Sequence, residues 1–289
     1  MVGTTKIWLT GANGQLARAI LKECKNQPEK YTILTTDKDV DITDMEQISK
    51  YAITTRPDII INCAGITDIA ACEQNVVMAY KVNALGARNM SAAARMVDAK
   101  IIHISTDDVF SGDRKEALME FDTAVPTSVY GKSKLAGEML VRELNPKHLV
   151  IRSSWAYGDG DNYVSRLLER IHAGETVEAA NDQISTPTSM DTLAKCILVL
   201  MESKEYGICH VSCEGSCSRY EFAKKILELT GDDTTMIKPI LSENISDGWQ
   251  RPKYSVLENL MLKMTELYQM PRWEDDLEQY LESRGMKHE

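Results

Sequence analysis

The amino terminus places a glycine-rich turn between a strand and a helix, and this order restricts the chain to few folds. Lys6–Thr10 (KIWLT) is predicted as a buried strand, and Gln15–Cys24 carries apolar residues at helical spacing. The turn between them is Gly11-Ala-Asn-Gly14-Gln-Leu-Ala17, a G-x-x-G-x-x-A pattern. Such glycines allow the backbone to approach a pyrophosphate at the amino terminus of the helix. Because it joins a strand to a helix, the pattern predicts a dinucleotide-binding turn.

The rest of the first half repeats this alternation of strand and helix. Four further strands lack polar alternation: Tyr31–Thr36, Asp58–Cys63, Lys100–Ser105 and His148–Ser153. Helical patterns lie between them: Asp44–Thr55, Val76–Val97 and Ser133–Leu144. Strands that are apolar on both faces are typical of a parallel sheet covered by helices. We therefore predict an α/β fold, a Rossmann-like doubly wound parallel sheet.

The second half is less regular and predicts a smaller α/β substrate domain. Helices are expected at Tyr163–Ala173, Met190–Ser203, Ser218–Thr230, Val256–Met264 and Trp273–Ser283. Short strands are expected at Glu175–Glu178, Ile208–Ser212 and Met236–Ile240. We assign residues 1–152 to the dinucleotide-binding domain, with 189–203 packing back on it. Residues 153–188 and 204–289 form the predicted second domain.

Composition excludes several classes of protein. The formal net charge of −10 over 289 residues disfavours binding to nucleic acid, which requires clustered lysine and arginine. No apolar run has the length of a membrane span, and no secretory signal is visible, so we expect a cytoplasmic protein. The seven cysteines are interpreted as reduced thiols.

Three of these cysteines, Cys209, Cys213 and Cys217, have a spacing that fits neither a zinc site nor an iron–sulfur site. We interpret them as core residues and expect no intrinsic metal. A metal that bridges subunits through surface acids stays open.

The second strand ends at an acidic residue that bears on the choice of cofactor. Asp37 can bind the adenosine ribose hydroxyls and repel a 2′-phosphate, which favours NADH. Lys38 follows it and could pair with a 2′-phosphate. Both NADH and NADPH therefore remain candidates, with NADH favoured.

A Y-x-x-x-K motif supplies candidate catalytic groups. Tyr130 and Lys134 lie on one face of a helix because they are four residues apart. A neighbouring ammonium lowers the pKa of a tyrosine from its usual value near 10, which suits it to acid–base chemistry. Ser105, Thr106 and Asp107 end a strand, where a hydroxyl could hold a substrate carbonyl beside Tyr130.

These motifs together resemble the extended short-chain dehydrogenases/reductases and, more closely, the dTDP-4-dehydrorhamnose reductase family. In the first part of the chain the resemblance rests on TGANGQL (10–16), DIT (41–43), VNALGARN (82–89), HISTDDVFSG (103–112) and YGKSKLAGE (130–138). Later it rests on RSSWAYG (152–158), NDQISTPT (181–188), CSRYEFA (217–223) and RPKYSVLEN (251–259).

The resemblance implies a role for each matching residue. The catalytic trio would be Thr106, Tyr130 and Lys134. Cofactor contacts would come from Gly11, Asn13, Gly14, Gln15, Leu16, Asp37, Asp41, Ile42, Ala64, Gly65, Asn83, Ser105, Tyr130 and Lys134. Contacts to the nucleotide sugar would come from Thr67, Asp107, Trp155, Asn162, Gln183 and Arg251.

The chain also departs from the family pattern near the sugar. Asp108 stands where the family usually has tyrosine, and Arg219 stands where tryptophan is common. Ala64-Gly65-Ile66 replaces Ala-Ala-Tyr, and Ile69–Glu73 lacks the aspartate of a V-D-x-x-E pattern. These departures leave the exact sugar and the nucleotide base open.

The resemblance implies an NAD(P)H-dependent reductase acting on the C4 keto group of dTDP-4-dehydro-L-rhamnose or a related sugar. Hydride would pass to C4, and Tyr130 would donate the proton. Two alternatives stay open: a non-catalytic nucleotide-binding subunit on the same fold, and an epimerase or dehydratase of nucleotide sugars. The sequence leaves the choice between monomer and homodimer open as well.

Overall fold

A computed structural model describes residues 4–245 and 251–288 of the chain. Its strands, numbered in chain order, are β1 (Thr5–Thr10), β2 (Tyr31–Thr36), β3 (Ile59–Asn62), β4 (Lys100–Thr106), β5 (His148–Ser153), β6 (Ala156–Tyr157), β7 (Val177–Ala180), β8 (Ile184–Ser185), β9 (Thr188–Ser189), β10 (Gly207–His210), β11 (Cys217–Ser218) and β12 (Ile237–Ile240).

The α-helices are numbered in the same way. They are α1 (Gln15–Lys25), α2 (Met45–Thr55), α3 (Ile69–Gln74), α4 (Val76–Tyr80), α5 (Ala87–Met96), α6 (Val129–Leu144), α7 (Tyr163–His172), α8 (Met190–Glu202), α9 (Arg219–Thr230), α10 (Leu260–Thr265) and α11 (Trp273–Glu282). None of the helices in the described residues is long and apolar enough to span a bilayer.

The central sheet has six parallel strands in the order β10-β5-β4-β3-β1-β2. Alternate side chains of a strand point to opposite faces, so each strand serves two cores. Ile7 and Leu9 pack towards α1 and α8 on one face, and Trp8 and Ile60 pack towards α2 and α5 on the other. Helices therefore cover both faces, and the predicted doubly wound α/β fold is confirmed.

Strand β10 lies within the stretch 204–289 that the sequence predicts as part of the second domain. It pairs with β5 in the central sheet, with Gly207 opposite Leu149 and His210 opposite Arg152. Helix α8 packs against α1, within one apolar cluster. The division into domains stays a prediction.

The stretch Val76–Val97, predicted as one helix, contains a π-helical turn. The α-helical segments α4 and α5 are joined by a π-helix over Lys81–Gly86. Such wide turns are rare and occur often at functional sites. Gly86 allows Ile42 to pack closely against the turn, because a Cβ at Gly86 would lie 2.6 Å from Cδ1 of Ile42. The turn orients Asn83 towards the edge of the sheet where the candidate site lies.

The carboxy-terminal half contains three short strand pairs, β6–β9, β7–β12 and β8–β11. Asp276 of α11 joins several segments of this half through hydrogen bonds. Its carboxylate accepts hydrogen bonds from the Ser189 hydroxyl (2.6 Å), the Thr192 hydroxyl (2.5 Å) and the Tyr157 hydroxyl (3.1 Å). The carboxylate is buried, so these donors replace the water it loses.

Candidate active site

A cleft of about 470 Å³ lies at the carboxyl ends of the parallel strands. Its walls include Gly11, Gly14, Asp37, Lys38, Val40, Asp41, Ile42, Cys63, Ala64, Gly65 and Val82. Ligands of open α/β sheets bind at this edge. The structure thus brings together the glycines of the first turn and the acidic end of β2, as the sequence predicts.

The first turn has the geometry of an anion cradle. Gly11 has a φ of +65°, and a Cβ at this position would lie 2.8 Å from the backbone nitrogen of Ala64. Gly14 precedes α1, and no side chain caps the amino terminus of this helix. The free N–H groups there suit a phosphate. The turn therefore fits the dinucleotide that the sequence predicts.

The side chains around this turn differ in what they offer to a cofactor. Asn13 donates to the Asp37 carboxylate at 2.5 Å, which fixes Asp37 at the wall of the cleft. Gln15 donates to the Asp161 carbonyl at 2.7 Å. Leu16 is buried in the core below the turn and Ile42 is also buried, whereas Asp41 is exposed. The cofactor roles of these residues stay predictions.

Asn83 holds the loop that follows β3. Its side chain accepts a hydrogen bond from Ile66 N at 2.8 Å and donates to Ile66 O and to Ser133 Oγ, both at 3.0 Å. Gly65 lies directly beside it, because a Cβ there would be 3.1 Å from Asn83 Oδ1. Asn83 therefore fixes the loop that forms the floor of the cleft. Its own side-chain amide is hydrogen-bonded to protein groups.

Tyr130, Lys134 and Thr106 meet at the carboxyl ends of β4 and β5. All three are buried, and the Thr106 side chain lies close enough to Tyr130 to lower its pKa. Burial raises the pKa of Tyr130, and the negative charge of Asp108 adds to this effect. Tyr130 is thus neutral at physiological pH and can act as an acid.

Lys134 is fixed one helical turn after Tyr130. Its ammonium donates to the Ile104 carbonyl at 2.5 Å. Burial lowers the pKa of Lys134 to about 8, and the Glu138 carboxylate opposes this shift. Lys134 also faces Gly65, since a Cβ at that glycine would be 3.9 Å from Nζ. The Lys134 ammonium therefore extends from α6 towards Gly65 at the wall of the cleft.

Ser105, predicted to contact the cofactor, has its hydroxyl in the core. It donates to Glu138 at 2.5 Å, and Glu138 also forms a buried ion pair with Arg152 at 2.6 Å. The structure therefore does not bring this hydroxyl into the cleft. Sequence reasoning missed Glu138, although it lies four residues after Lys134 and so on the same helix face.

Asp107 and Asp108 form a pair of carboxylates beside Thr106. Asp107 is buried and accepts from the hydroxyls of Ser255 (2.5 Å) and Ser185 (3.2 Å). Burial and the charge of Asp108 raise the pKa of Asp107 to about 7. Burial also raises the pKa of Asp108, against the opposing charges of Arg251 and Arg219.

Trp155 has the left-handed φ of +38° and is partly buried. The Arg219 guanidinium lies over its ring at 3.5 Å from the centroid, and over the Tyr163 ring at 5.2 Å. Such stacking of a cation on aromatic faces is favourable. Arg219 therefore belongs to the candidate sugar site, a position that the sequence flagged only as a departure from the family.

The other predicted substrate residues are placed differently. Asn162 is buried and caps α7, and its amide donates to the Gly158 and Gly160 carbonyls at 2.5 and 2.8 Å. Gln183 is buried, and its backbone carbonyl accepts from Arg219 N at 3.2 Å. Arg251 and Thr67 are exposed. The structure brings Arg251 within electrostatic range of Asp108, and the substrate roles of all four residues stay predictions.

Metal ligands do not cluster in residues 4–245 and 251–288, where no three His, Cys, Asp or Glu side chains could share an ion. Cys209, Cys213 and Cys217 are buried and free of disulfides. Burial raises the pKa of each of these thiols. They pack in the main apolar cluster.

Comparison with known proteins agrees with this geometry. Residues 5–286 match the family model described as the RmlD substrate binding domain. The chain belongs to this family. The match spans both the glycine turn and the Arg251 loop, so the RmlD family assignment covers every part of the candidate site.

Similar proteins carry related names. The chain is 35% identical to the spore coat polysaccharide biosynthesis protein SpsK of Bacillus subtilis, over 97% of this chain and 98% of that protein. It superposes on a dTDP-4-dehydrorhamnose reductase of Clostridium acetobutylicum with a TM-score of 0.93 and 41% identity, over 97% of this chain and 100% of that one. A dTDP-4-dehydrorhamnose reductase of Bacillus anthracis, in complex with NADP, gives a TM-score of 0.93 and 39% identity over 97% and 99%.

Proposed function

We propose that the chain reduces the C4 keto group of dTDP-4-dehydro-L-rhamnose, or of a closely related nucleotide sugar, with NAD(P)H. The observation that carries the proposal is the position of Tyr130 beside Thr106, with Lys134 on the same helix facing Gly65 at the wall of the cleft. The names of the RmlD relatives, together with the NADP bound to one of them, support the same reaction.

Each side chain of the trio has its own part in this reaction. When bound, NAD(P)H supplies a hydride to C4. Tyr130, kept neutral by burial, donates a proton to the C4 oxygen as that oxygen gains charge. Thr106 donates a hydrogen bond that orients the carbonyl oxygen towards Tyr130. Lys134 holds the ribose of the cofactor and favours the phenolate that remains after the transfer.

The charged groups around the sugar site suit a nucleotide diphosphate. Arg251 is exposed, and Arg219, which stacks on Trp155, is close enough for Arg251 to lower its pKa. A guanidinium matches phosphate oxygens in a bidentate arrangement. We infer a soluble nucleotide sugar as the substrate and the cytoplasm as the location, and we leave the choice between monomer and homodimer to direct measurement.

Absorbance of the reduced nicotinamide tests the proposal. The purified chain is mixed with NADH or NADPH and with dTDP-4-keto-L-rhamnose generated in place. We expect one reduced cofactor to be oxidised for each sugar converted. Faster oxidation of NADH would indicate that Asp37 determines the cofactor preference, and faster oxidation of NADPH would indicate that Lys38 does. Cofactor binding without oxidation would instead indicate a binding subunit. Sugar conversion without net oxidation would indicate an epimerase or dehydratase, which recycles its cofactor.

A further inference from the structure

Asp108 occupies a position that the trio alone does not explain. Its Oδ2 lies 3.2 Å from Thr106 Oγ1, and Asp107 Oδ1 lies 3.3 Å from the same hydroxyl. That hydroxyl also accepts from Asp108 N at 3.2 Å, and it lies close enough to the Tyr130 side chain to lower the pKa of Tyr130. A carboxyl group is therefore connected to the candidate proton donor through a single hydroxyl.

The Thr106 hydroxyl has few protons to share, and this limits which of the two neighbouring carboxyls can be ionised. A threonine hydroxyl has one proton to donate. With both carboxylates ionised, that proton serves one of them, and the other carboxylate faces a lone pair of Thr106. If Asp108 is protonated, its O–H donates to Thr106 Oγ1, and the Thr106 proton is free to hold the substrate carbonyl during hydride transfer and to turn to the Tyr130 oxygen afterwards.

Burial raises the pKa of both carboxyls, and Asp108 is the one better placed to exchange this proton. Asp107 Oδ2 accepts hydrogen bonds from Ser255 and Ser185, and such donors favour an ionised carboxylate. Asp108 is partly exposed, so it can exchange a proton with solvent.

We propose that Asp108 resupplies the proton that Tyr130 gives to the substrate, by way of the Thr106 hydroxyl. This inference rests on the reductase function proposed above. The Tyr130 oxygen loses its proton to the C4 oxygen and takes the Thr106 proton, and Thr106 takes the proton of the Asp108 carboxyl. Tyr130 and Thr106 end neutral, Asp108 ends as a carboxylate, and no electrons move in the relay. Solvent then reprotonates Asp108.

The electrostatic surroundings are consistent with one shared proton near neutral pH. Asp108 is influenced by Asp107 beside it, Tyr130 of α6, Arg219 of α9 and Arg251 of the following loop. Cys72 of α3 also faces Tyr130. Two adjacent carboxyls titrate as a pair, and the first ionisation disfavours the second.

The backbone holds the relay in place. Asp107–Val109 form a 3-10 turn, and Gly131 packs directly on it. A Cβ at Gly131 would lie 2.1 Å from the Asp108 carbonyl oxygen, so only glycine allows this contact. Asp108 is therefore fixed relative to Tyr130, the residue that precedes Gly131. Because it acts through Thr106, Asp108 is a positioning residue rather than a catalytic one.

Rapid mixing of Asp108→Asn enzyme with NADPH and the keto sugar tests the relay. Tyr130 begins protonated, so the first turnover should proceed within about twofold of the wild-type rate. Later turnovers should be at least about tenfold slower, because an amide cannot donate the missing proton. A burst of one oxidised NADPH per active site is thus expected. Asp98→Asn is the matched control, since Asp98 is exposed and has a φ of +61°, which asparagine tolerates.

The pH profile gives a second readout. In the wild type and in Asp98→Asn, kcat should fall with rising pH as the Asp108 carboxyl, whose pKa is raised by burial, loses its proton. In Asp108→Asn this loss should disappear. A role in folding alone would change the amplitude of the profile and leave its shape.

Two results would overturn the relay. One is Asp108→Asn enzyme that turns over continuously at the wild-type rate, and the other is a first turnover slowed as much as the later ones. Wild-type enzyme that never oxidises NADPH with this sugar would instead overturn the proposed function. The two failures are therefore distinguishable.

Discussion

Tyr130 is the side chain whose hydroxyl donates the proton in the proposed reaction. Tyr130→Phe should bind NADPH as the wild type does, while kcat falls by roughly 10²- to 10⁴-fold, the usual contribution of a general acid. Tyr206→Phe is the matched control. Tyr206 is exposed and precedes β10, so it lies at the amino ends of the parallel strands, whereas the candidate site lies at their carboxyl ends. Steady-state kinetics and cofactor titration measure both effects. Equal turnover of the two variants would remove Tyr130 from the proposed chemistry.

Individual site residues were predictable to different degrees. Gly11, Tyr130 and Lys134 stand in short local motifs, so the sequence places them correctly at one edge of the sheet. Ser105 follows the same local logic, yet its hydroxyl faces Glu138 in the core. The partner of a side chain depends on tertiary packing, which a local motif does not specify. The contact of Asp107 with Ser255 spans 148 positions and has no local signal at all.

The π-helical turn between α4 and α5 positions the floor of the cleft through Asn83. Asn83→Ala would leave the backbone groups of Ile66 without two hydrogen bonds in a mostly buried place. We expect the free energy of unfolding to fall by about 2–4 kcal/mol and the KM for the cofactor to rise. Chemical denaturation and kinetics measure the two changes. An unaltered KM would show that the Ala64–Ile66 loop does not depend on Asn83.

Elements with a strong apolar pattern were predicted closely, and elements set by distant contacts were not. Strand β2 has the predicted bounds because its composition alone favours a strand. The helix expected at Val256–Met264 begins only at Leu260. Val256 O instead accepts from Leu118 N at 2.8 Å, and Glu258 N donates to Leu118 O at 2.8 Å. This pairing with a remote segment holds the backbone extended where periodicity predicts a helix.

The stability of the whole molecule depends on the hydrogen bonds that attach α11 to β6, β9 and α8. Asp276→Ala would leave the hydroxyls of Ser189, Thr192 and Tyr157 without their buried acceptor. We expect the free energy of unfolding to fall by about 3–5 kcal/mol. Asp275→Ala, one position earlier and exposed, should change it by less than about 1 kcal/mol. Denaturant titration with a far-ultraviolet signal compares them, and equal stability of the two variants would contradict this attachment.

A deuterium label tests the reductase function of the molecule as a whole. NADPH that carries deuterium at the transferred position is oxidised by the wild-type chain in the presence of dTDP-4-keto-L-rhamnose, and the sugar product is analysed by NMR. Transfer to the keto carbon predicts one deuterium at C4 for every cofactor oxidised. A product without deuterium, or with deuterium at another carbon, would contradict direct reduction at the site formed by Thr106, Tyr130 and Lys134.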